Sequence, residues 1–284
     1  MKIWTEEEDL IIKQMYGKET HRDIHKKIPG ITKGMLIYRA TVLGLKGNIK
    51  VVMSKEKSLY THNRLFFKYP CTLNSYWAGF IAADGNIRKN HNELRISLAC
   101  KDQGHLERFK ADLEFTGNIK VDKRGCANIS VSGVEIVDDL RNNFNIVPNK
   151  TLILVPPSGL DHFCIMAFIL GYIDGDGSIS IRTGPSGNCF VVVKTVGTEK
   201  MLSFIRNFIE FNFKTLRNKK VVSKVNKYTT VCEYSFSNYR AEQFFIESFK
   251  LLVPRLRRKW EPVKVFLNTH KNAKCIYNYY SFNG

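Results

Sequence analysis

Apolar side chains recur every three to four positions at Leu73, Trp77, Phe80 and Ile81, and again at Phe163, Ala167, Leu170 and Tyr172. That spacing predicts two helices, each with a packed apolar face. After each helix the period shortens to two, as in strands. Residues 87–89 and 94–100 read as one hairpin turned at Asn90-His91-Asn92. Residues 178–183 and 189–196 read as its counterpart, turned by Gly184-Pro185-Ser186-Gly187. Helices are predicted next over 103–114 and 199–212, then strand pairs near 118–132 and 219–236, then helices near 133–144 and 239–251. The order α-β-β-α-β-β-α therefore occurs twice, an α+β architecture built by duplication.

The first 47 residues follow another plan. Thr5 stands as an N-cap before Glu6, Glu7, Glu8 and Asp9, whose charges suit the start of a helix. Trp4, Leu10, Ile11 and Met15 then share one face. Ile24 and Ile28 mark a second helix that Pro29-Gly30 ends. Thr32 caps a third over 33–43, carrying Lys33, Tyr38 and Arg39 and stopped by Gly44-Leu45-Lys46-Gly47. Residues 48–70 mix Lys50, Lys55, Lys57, Arg64 and Lys68 with Tyr60, Phe66, Phe67 and Tyr69. They read as a basic linker, either an arm along a polyanion or a tether whose aromatics pack on the body. The chain thus divides into a three-helix domain at 1–47, a linker at 48–70, repeats at 71–157 and 158–260, and a tail at 261–284 without readable role.

The two apolar helices end in related nonapeptides. Trp77-Ala78-Gly79-Phe80-Ile81-Ala82-Ala83-Asp84-Gly85 returns as Ile169-Leu170-Gly171-Tyr172-Ile173-Asp174-Gly175-Asp176-Gly177. Small residues at Ala78, Gly79, Ala82 and Ala83, and at Gly171 and Gly175, let two helix backbones approach closely. Gly85 and Gly177 are expected to supply the positive φ that ends each helix. Asp84 and Asp176 would then face one another at the bottom of a helix pair. One carboxylate per copy on a pseudo-two-fold axis is the geometry a two-metal phosphodiesterase needs to cut both strands of a duplex.

Charge points to the same partner. The chain has 44 Lys+Arg against 26 Asp+Glu, a formal charge of +18, with 44% hydrophobic residues, so the charge sits on a folded surface. A field of that size attracts a polyanion, above all nucleic acid. Arg88, Lys89, Arg95, Lys101, Lys120, Lys123 and Arg124 supply it in the first repeat, and Arg182, Lys194, Lys219, Lys220 and Lys224 in the second. Strands alternating basic and polar side chains on one face form a saddle suited to the major groove of double-stranded DNA. No apolar run could span a bilayer, and the acidic start is no signal peptide, so an intracellular, cytoplasmic or nucleoid-associated protein is expected. Seven cysteines without a Cys-x-x-Cys pair mark neither a disulfide framework nor a zinc knuckle. The isolated pair His62-Asn63 is too little to mark a nuclease motif.

The paired nonapeptides, in matching repeat order over roughly 73–260, resemble the signature of LAGLIDADG homing endonucleases in their single-chain, two-repeat form. The head, with Trp4-Thr5, acids and a late basic helix ending Leu43-Gly44-Leu45-Lys46, is similar to the Myb/SANT-like helix-turn-helix class. That second resemblance implies a third helix in the major groove, with Lys33 and Arg39 on DNA; a protein-contact module is the alternative. The first implies a monomeric, site-specific double-stranded DNA endonuclease that uses Mg²⁺, with Mn²⁺ able to substitute. It assigns metal binding to Asp84 and Asp176 with the glycine-end carbonyls of Gly85 and Gly177. It also implies catalytic roles for Lys194, Lys150 and Lys259, with Ala99 or Lys101 as the first-repeat match of Lys194. The motif's earlier acid is kept as Asp174 but replaced by Ala82, at a position of structural rather than catalytic weight. An intron RNA maturase and a DNA-binding regulator on an inactive nuclease fold are the alternatives.

Overall fold

A computed structural model describes residues 2–19, 21–45, 60–88, 91–213, 222–225 and 230–269, which fall into two units, Met1–Leu59 and Tyr60–Gly284. In the first unit, α1 (Glu6–Met15), α2 (His21–Lys27) and α3 (Lys33–Val42) surround Ile12, Ile24, Ile28, Ile31, Leu36 and Ala40. Thr5 and Glu8 form a reciprocal capping box, each side chain accepting the other's backbone N–H at 3.2 Å. Leu10, expected on the packed face, is 55% exposed, and Ile12 is buried in its stead. Arg39, expected on DNA, is engaged within the unit. Its guanidinium donates from Nε and Nη2 to both oxygens of Asp9, the Nε bond at 2.7 Å, and stacks over Trp4. That bidentate pair ties α3 to α1. Lys33 and Tyr38 stay exposed.

The second unit opens earlier than the sequence boundary. Phe67 is fully buried, and the Asn74 amide donates to the carbonyls of Phe66 and Tyr69 at 2.7 Å. Residues 60–70 therefore pack on the body through Phe67, with Tyr60 and Phe66 partly buried beside it, while 48–59 lie outside the described residues. The body then runs α4 (Thr72–Asp84), β1 (Gly85–Arg88), β2 (Glu93–Ala99), a 3₁₀ turn (Cys100–Asp102), α5 (Gln103–Asp112), β3 (Lys120–Val121), β4 (Cys126–Ser132) and α6 (Val134–Phe144). After a 3₁₀ turn at Lys150–Leu152 come α7 (His162–Asp176), β5 (Gly177–Thr183), β6 (Cys189–Gly197), α8 (Glu199–Asn212), β7 (Val222–Val225), β8 (Thr230–Ser237) and α9 (Tyr239–Phe249). Each repeat forms an antiparallel four-stranded sheet, in the orders β1-β2-β4-β3 and β5-β6-β8-β7. The α+β duplication is thus present element for element.

One further helix, α10 (Arg257–Thr269), occupies part of what reads as tail. Trp260, Val263, Phe266 and Leu267 bury one face of it. The basic start and Pro262 mask that pattern in the sequence.

α4 and α7 are buried nearly all round and touch along their backbones. A Cβ on Gly79 would stand 1.9 Å from the Phe168 carbonyl oxygen, and one on Gly171 would stand 1.9 Å from that of Tyr76. Glycine is required there because only hydrogen fits between the helices.

Candidate active site at the paired helix ends

α4 and α7 pass straight into the first strands of their sheets, and Asp84 and Asp176 are their last residues. Gly85 and Gly177 do not adopt the positive φ expected of them. Their φ values are −79° and −97°, extended backbone, and their N–H groups donate back to Ile81 and Ile173. Glycine is needed for space instead. A Cβ would lie 2.8 Å from the Ile81 carbonyl oxygen in one copy and 2.5 Å from that of Ile173 in the other. Each aspartate is therefore held at a rigid helix-to-strand corner.

Two buried lysines hold the backbone behind those corners. Lys150 donates from Nζ to the Ala83 carbonyl at 3.1 Å. Lys259 reaches four carbonyls, those of Ile173 (3.0 Å), Asp174 (2.6 Å), Gly175 (3.2 Å) and Gly177 (2.7 Å). The last turn of a helix has carbonyls without intrahelical partners, and a cation there also meets the negative end of the dipole. An ammonium has only donors to offer, and those of Lys259 are spread over its four carbonyls. Lys150 and Lys259 thus both hold backbone at the corners, and Lys150 also lines the cavity beside Asp176.

Charge is crowded between the two corners. Burial pushes the Asp176 carboxyl up to about 6, with nearby Asp84 adding to the rise and Lys150 and Lys259 opposing it. Asp84 is raised by burial of its inner side, offset by Lys259, Lys150 and Arg258 and reinforced by Asp102. Burial lowers both lysines, while the two aspartates favour their charged forms. The two carboxylates are close enough to repel, and each keeps a solvent-facing side.

Asp174 has a separate place. It is 1% exposed and accepts from Tyr76 Oη (2.6 Å), the Leu256 N–H (2.8 Å) and Trp260 Nε1 (2.7 Å). Because Tyr76 gives its proton to Asp174, the His105 Nε2 beside it (3.0 Å) is the donor to Tyr76. Burial takes His105 down to about 4, so the ring is neutral. This network ties both repeats to the segment that brings in Lys259, in line with a structural role for the earlier motif acid. Ala82, its counterpart, sits in apolar packing.

Strand register corrects the match of Lys194. Gly177 pairs with Thr195 and Ser178 with Lys194, whereas Gly85 pairs with Ile96 and Asn86 with Arg95. The first-repeat equivalent of Lys194 is Arg95, not Ala99 or Lys101. Lys194 Nζ lies 3.4 Å from Glu233, and Arg95 Nε lies 2.8 Å from Glu93. Arg88 also pairs with Glu93, at 2.7 Å, so three of the basic groups on the polar sheet faces carry a local acid. Lys101, Lys120, Lys123, Arg124 and Arg182 are exposed, Arg124 beside Asp122. Lys89, Lys219 and Lys220 lie outside the described residues, as does the side chain of Lys224 on β7. Arg258 and Asp102 beside Asp84 carry no sequence signal; their ion pair, with Arg258 Nε 2.9 Å from both Asp102 oxygens, joins residues far apart in the chain.

Among the described residues no group of three or more His, Cys, Asp or Glu stands where it could hold a metal ion, and no helix is long and apolar enough to cross a membrane. The donor set at the corners is two carboxylates with backbone carbonyls. Such hard oxygen donors suit Mg²⁺, which keeps most of its shell as water and phosphate oxygen.

No protein-family profile and no curated protein sequence matches the chain. Solved structures similar to it are LAGLIDADG homing endonucleases. The I-LtrWI enzyme bound to target DNA is 14% identical over 75% of this chain and 98% of its own, with a TM-score of 0.41. I-GzeII in complex with its DNA target is 14% identical over 72% and 95%, at 0.45. The meganuclease I-SmaMI bound to uncleavable DNA is 14% identical over 72% and 94%, at 0.44.

Proposed function

We propose that this chain is a site-specific double-stranded DNA endonuclease of the LAGLIDADG homing type, acting as a monomer. One observation carries the reading. Two carboxylates, Asp84 and Asp176, stand at the adjoining ends of a close-packed helix pair, and each begins a sheet with a polar outer face. A single chain then presents one acid to each strand of a duplex lying across both sheets.

The division of labour follows from the contacts. Asp84 and Asp176 would hold Mg²⁺ or Mn²⁺, with water and phosphate oxygens filling the rest of its shell, since the Gly177 carbonyl already accepts from Lys259. When bound, such an ion lowers the pKa of its water and neutralises charge on the phosphate and leaving oxygen. Lys150 and Lys259 keep the two corners from moving as a phosphate approaches. Lys194 and Arg95 occupy matching places on the two sheets, one residue into the strand facing each corner, and are positioned to meet the phosphates flanking the cut. Their acids, Glu233 and Glu93, fix where those cations point. Inversion-type, in-line hydrolysis of one phosphodiester per strand is the chemistry this arrangement serves.

The test is selection from a randomised duplex library with purified protein and Mg²⁺, set beside the Asp84→Asn/Asp176→Asn variant. A defined double-strand cut made only by the wild type, with the variant still retaining the same sites, is the expected result. Binding without a cut by either protein would refute the nuclease and favour a regulator. Preference for a folded intron RNA over every duplex would favour a maturase.

A further inference from the structure

The two halves of the duplicated body are not equal in charge. Each repeat's closing segment packs against the other repeat and leaves a cavity there. The segment at Lys150–Leu154 flanks one of about 400 Å³ beside Asp176. Its charged lining is Lys150, Asp176 and Glu199. The segment at Pro254–Arg258 flanks one of about 700 Å³, lined by the 3₁₀ turn and first residues of α5. Here Lys101, Arg108, Arg255, Arg257 and Arg258 outnumber Asp102 and Glu261. The acids do not cancel this excess. Asp102 is taken by Arg258, while Lys101 and Arg257 make no ion pair or hydrogen bond among the described residues. Gly104 opens the wall toward the start of α5, where backbone N–H groups add to the positive field.

The larger cavity adjoins the Asp84 corner. Arg258 precedes the lysine that holds the helix ends, and Asp102 closes the turn that follows β2, whose Ile96 pairs with Gly85. A second-repeat feature thereby lines the first-repeat site. The cavity beside Asp176 has no such cluster of arginines, and the N-cap place that Asp102 holds is filled there by Thr198, which donates to the Leu154 carbonyl.

We infer that this cavity takes a backbone phosphate of duplex DNA between Lys101 and Arg257, and that it favours hydrolysis of the strand served by Asp84. The inference rests on the nuclease reading for its second half only. Cations in a recess that have no acid partner among the described residues are better phosphate ligands than those already bridged on the open sheet, because no such ion pair must first be broken.

The experiment compares wild type, Lys101→Gln/Arg257→Gln and a control, Lys200→Gln, which removes an exposed charge beside the smaller cavity. All three changed side chains are exposed, so folding is kept. Binding to a labelled random-sequence DNA duplex is measured across KCl concentrations. The double variant is expected to flatten the plot of log affinity against log salt by about 1 to 2, roughly 0.9 for each phosphate that is no longer neutralised, with little change in the control. Equal slopes in all three proteins would overturn the inference, as would a loss confined to an RNA duplex. On a target recovered by selection, the variant should cut one strand several-fold more slowly and the other unchanged; equal slowing of both overturns the half-site assignment. A wild type that binds but cuts neither strand, with the slope still flattened in the variant, removes the nuclease reading and leaves the phosphate cavity standing.

Discussion

Replacing Asp176 by Asn should make the metal-free protein more stable while ending its chemistry. The wild-type carboxyl titrates at about 6 against an ordinary 3.8, because burial and Asp84 disfavour its charge more than Lys150 and Lys259 favour it. Asparagine has the shape of the protonated acid and carries no charge to bury. The gap in proton affinity amounts to roughly 3 kcal/mol at 1.36 kcal/mol per tenfold change, and about 2 to 3 kcal/mol after allowing for the side that solvent still reaches.

The sign fixes the pH window. A carboxyl whose folded pKa is raised contributes fully below the unfolded value and loses that contribution as pH rises through the folded one. Wild type and Asp176→Asn should therefore melt together near pH 4, separate between pH 4 and 6, and keep a constant gap above pH 7. For a body of this size the gap corresponds to on the order of 5–10 °C. The assay is thermal unfolding in EDTA across that range, repeated with Mg²⁺, which should raise the wild type and leave the variant unmoved. A difference independent of pH, or a variant less stable at pH 8, would refute the argument that two crowded carboxylates are strained until a cation joins them.

Three further outcomes follow from the same structure. His105, neutral and buried at about 4, works in the opposite sense: its folded pKa is depressed, so stability is lost as pH falls from 6.5 towards 4. His105→Gln should flatten that acid limb by roughly 2–3 kcal/mol, read as the difference in urea midpoint between pH 7 and pH 4.5. Gly79→Ala or Gly171→Ala must push the two helices apart and should each cost about 3 kcal/mol, seen in urea denaturation, with cleavage falling further than stability because the corners move. Lys259→Met leaves the carbonyls it holds without a donor; we expect a loss of roughly 3 kcal/mol, checked by the same denaturation, and a Mg²⁺ requirement shifted to higher concentration.

The repeat and the place of its two aspartates at the helix ends were legible because the small packing residues beside each acid recur in both copies. Gly79 and Gly171 must be small for the helices to touch, and that need writes a pattern into the sequence beside each acid. What failed to show was whatever depends on strand length or on contacts between distant segments. β1 has four residues and β5 has seven, so no constant offset carries Lys194 onto its partner; only the pairing of Asn86 with Arg95 reveals it. Gly85 and Gly177 illustrate a different gap, since a glycine kept for clearance and one kept for positive φ look alike in a sequence. The lysines could be read from the sequence as cations close to the acid motifs, whereas the carbonyls they hold, four of them around Lys259, show only in three dimensions. Asp102 and Arg258 lie outside any motif, 156 positions apart, and become neighbours only because the end of each repeat folds back on the other. That exchange of closing segments is what allows a duplicated chain to make its two half-sites different, through side chains that belong to neither motif, without altering the paired helices that both halves need.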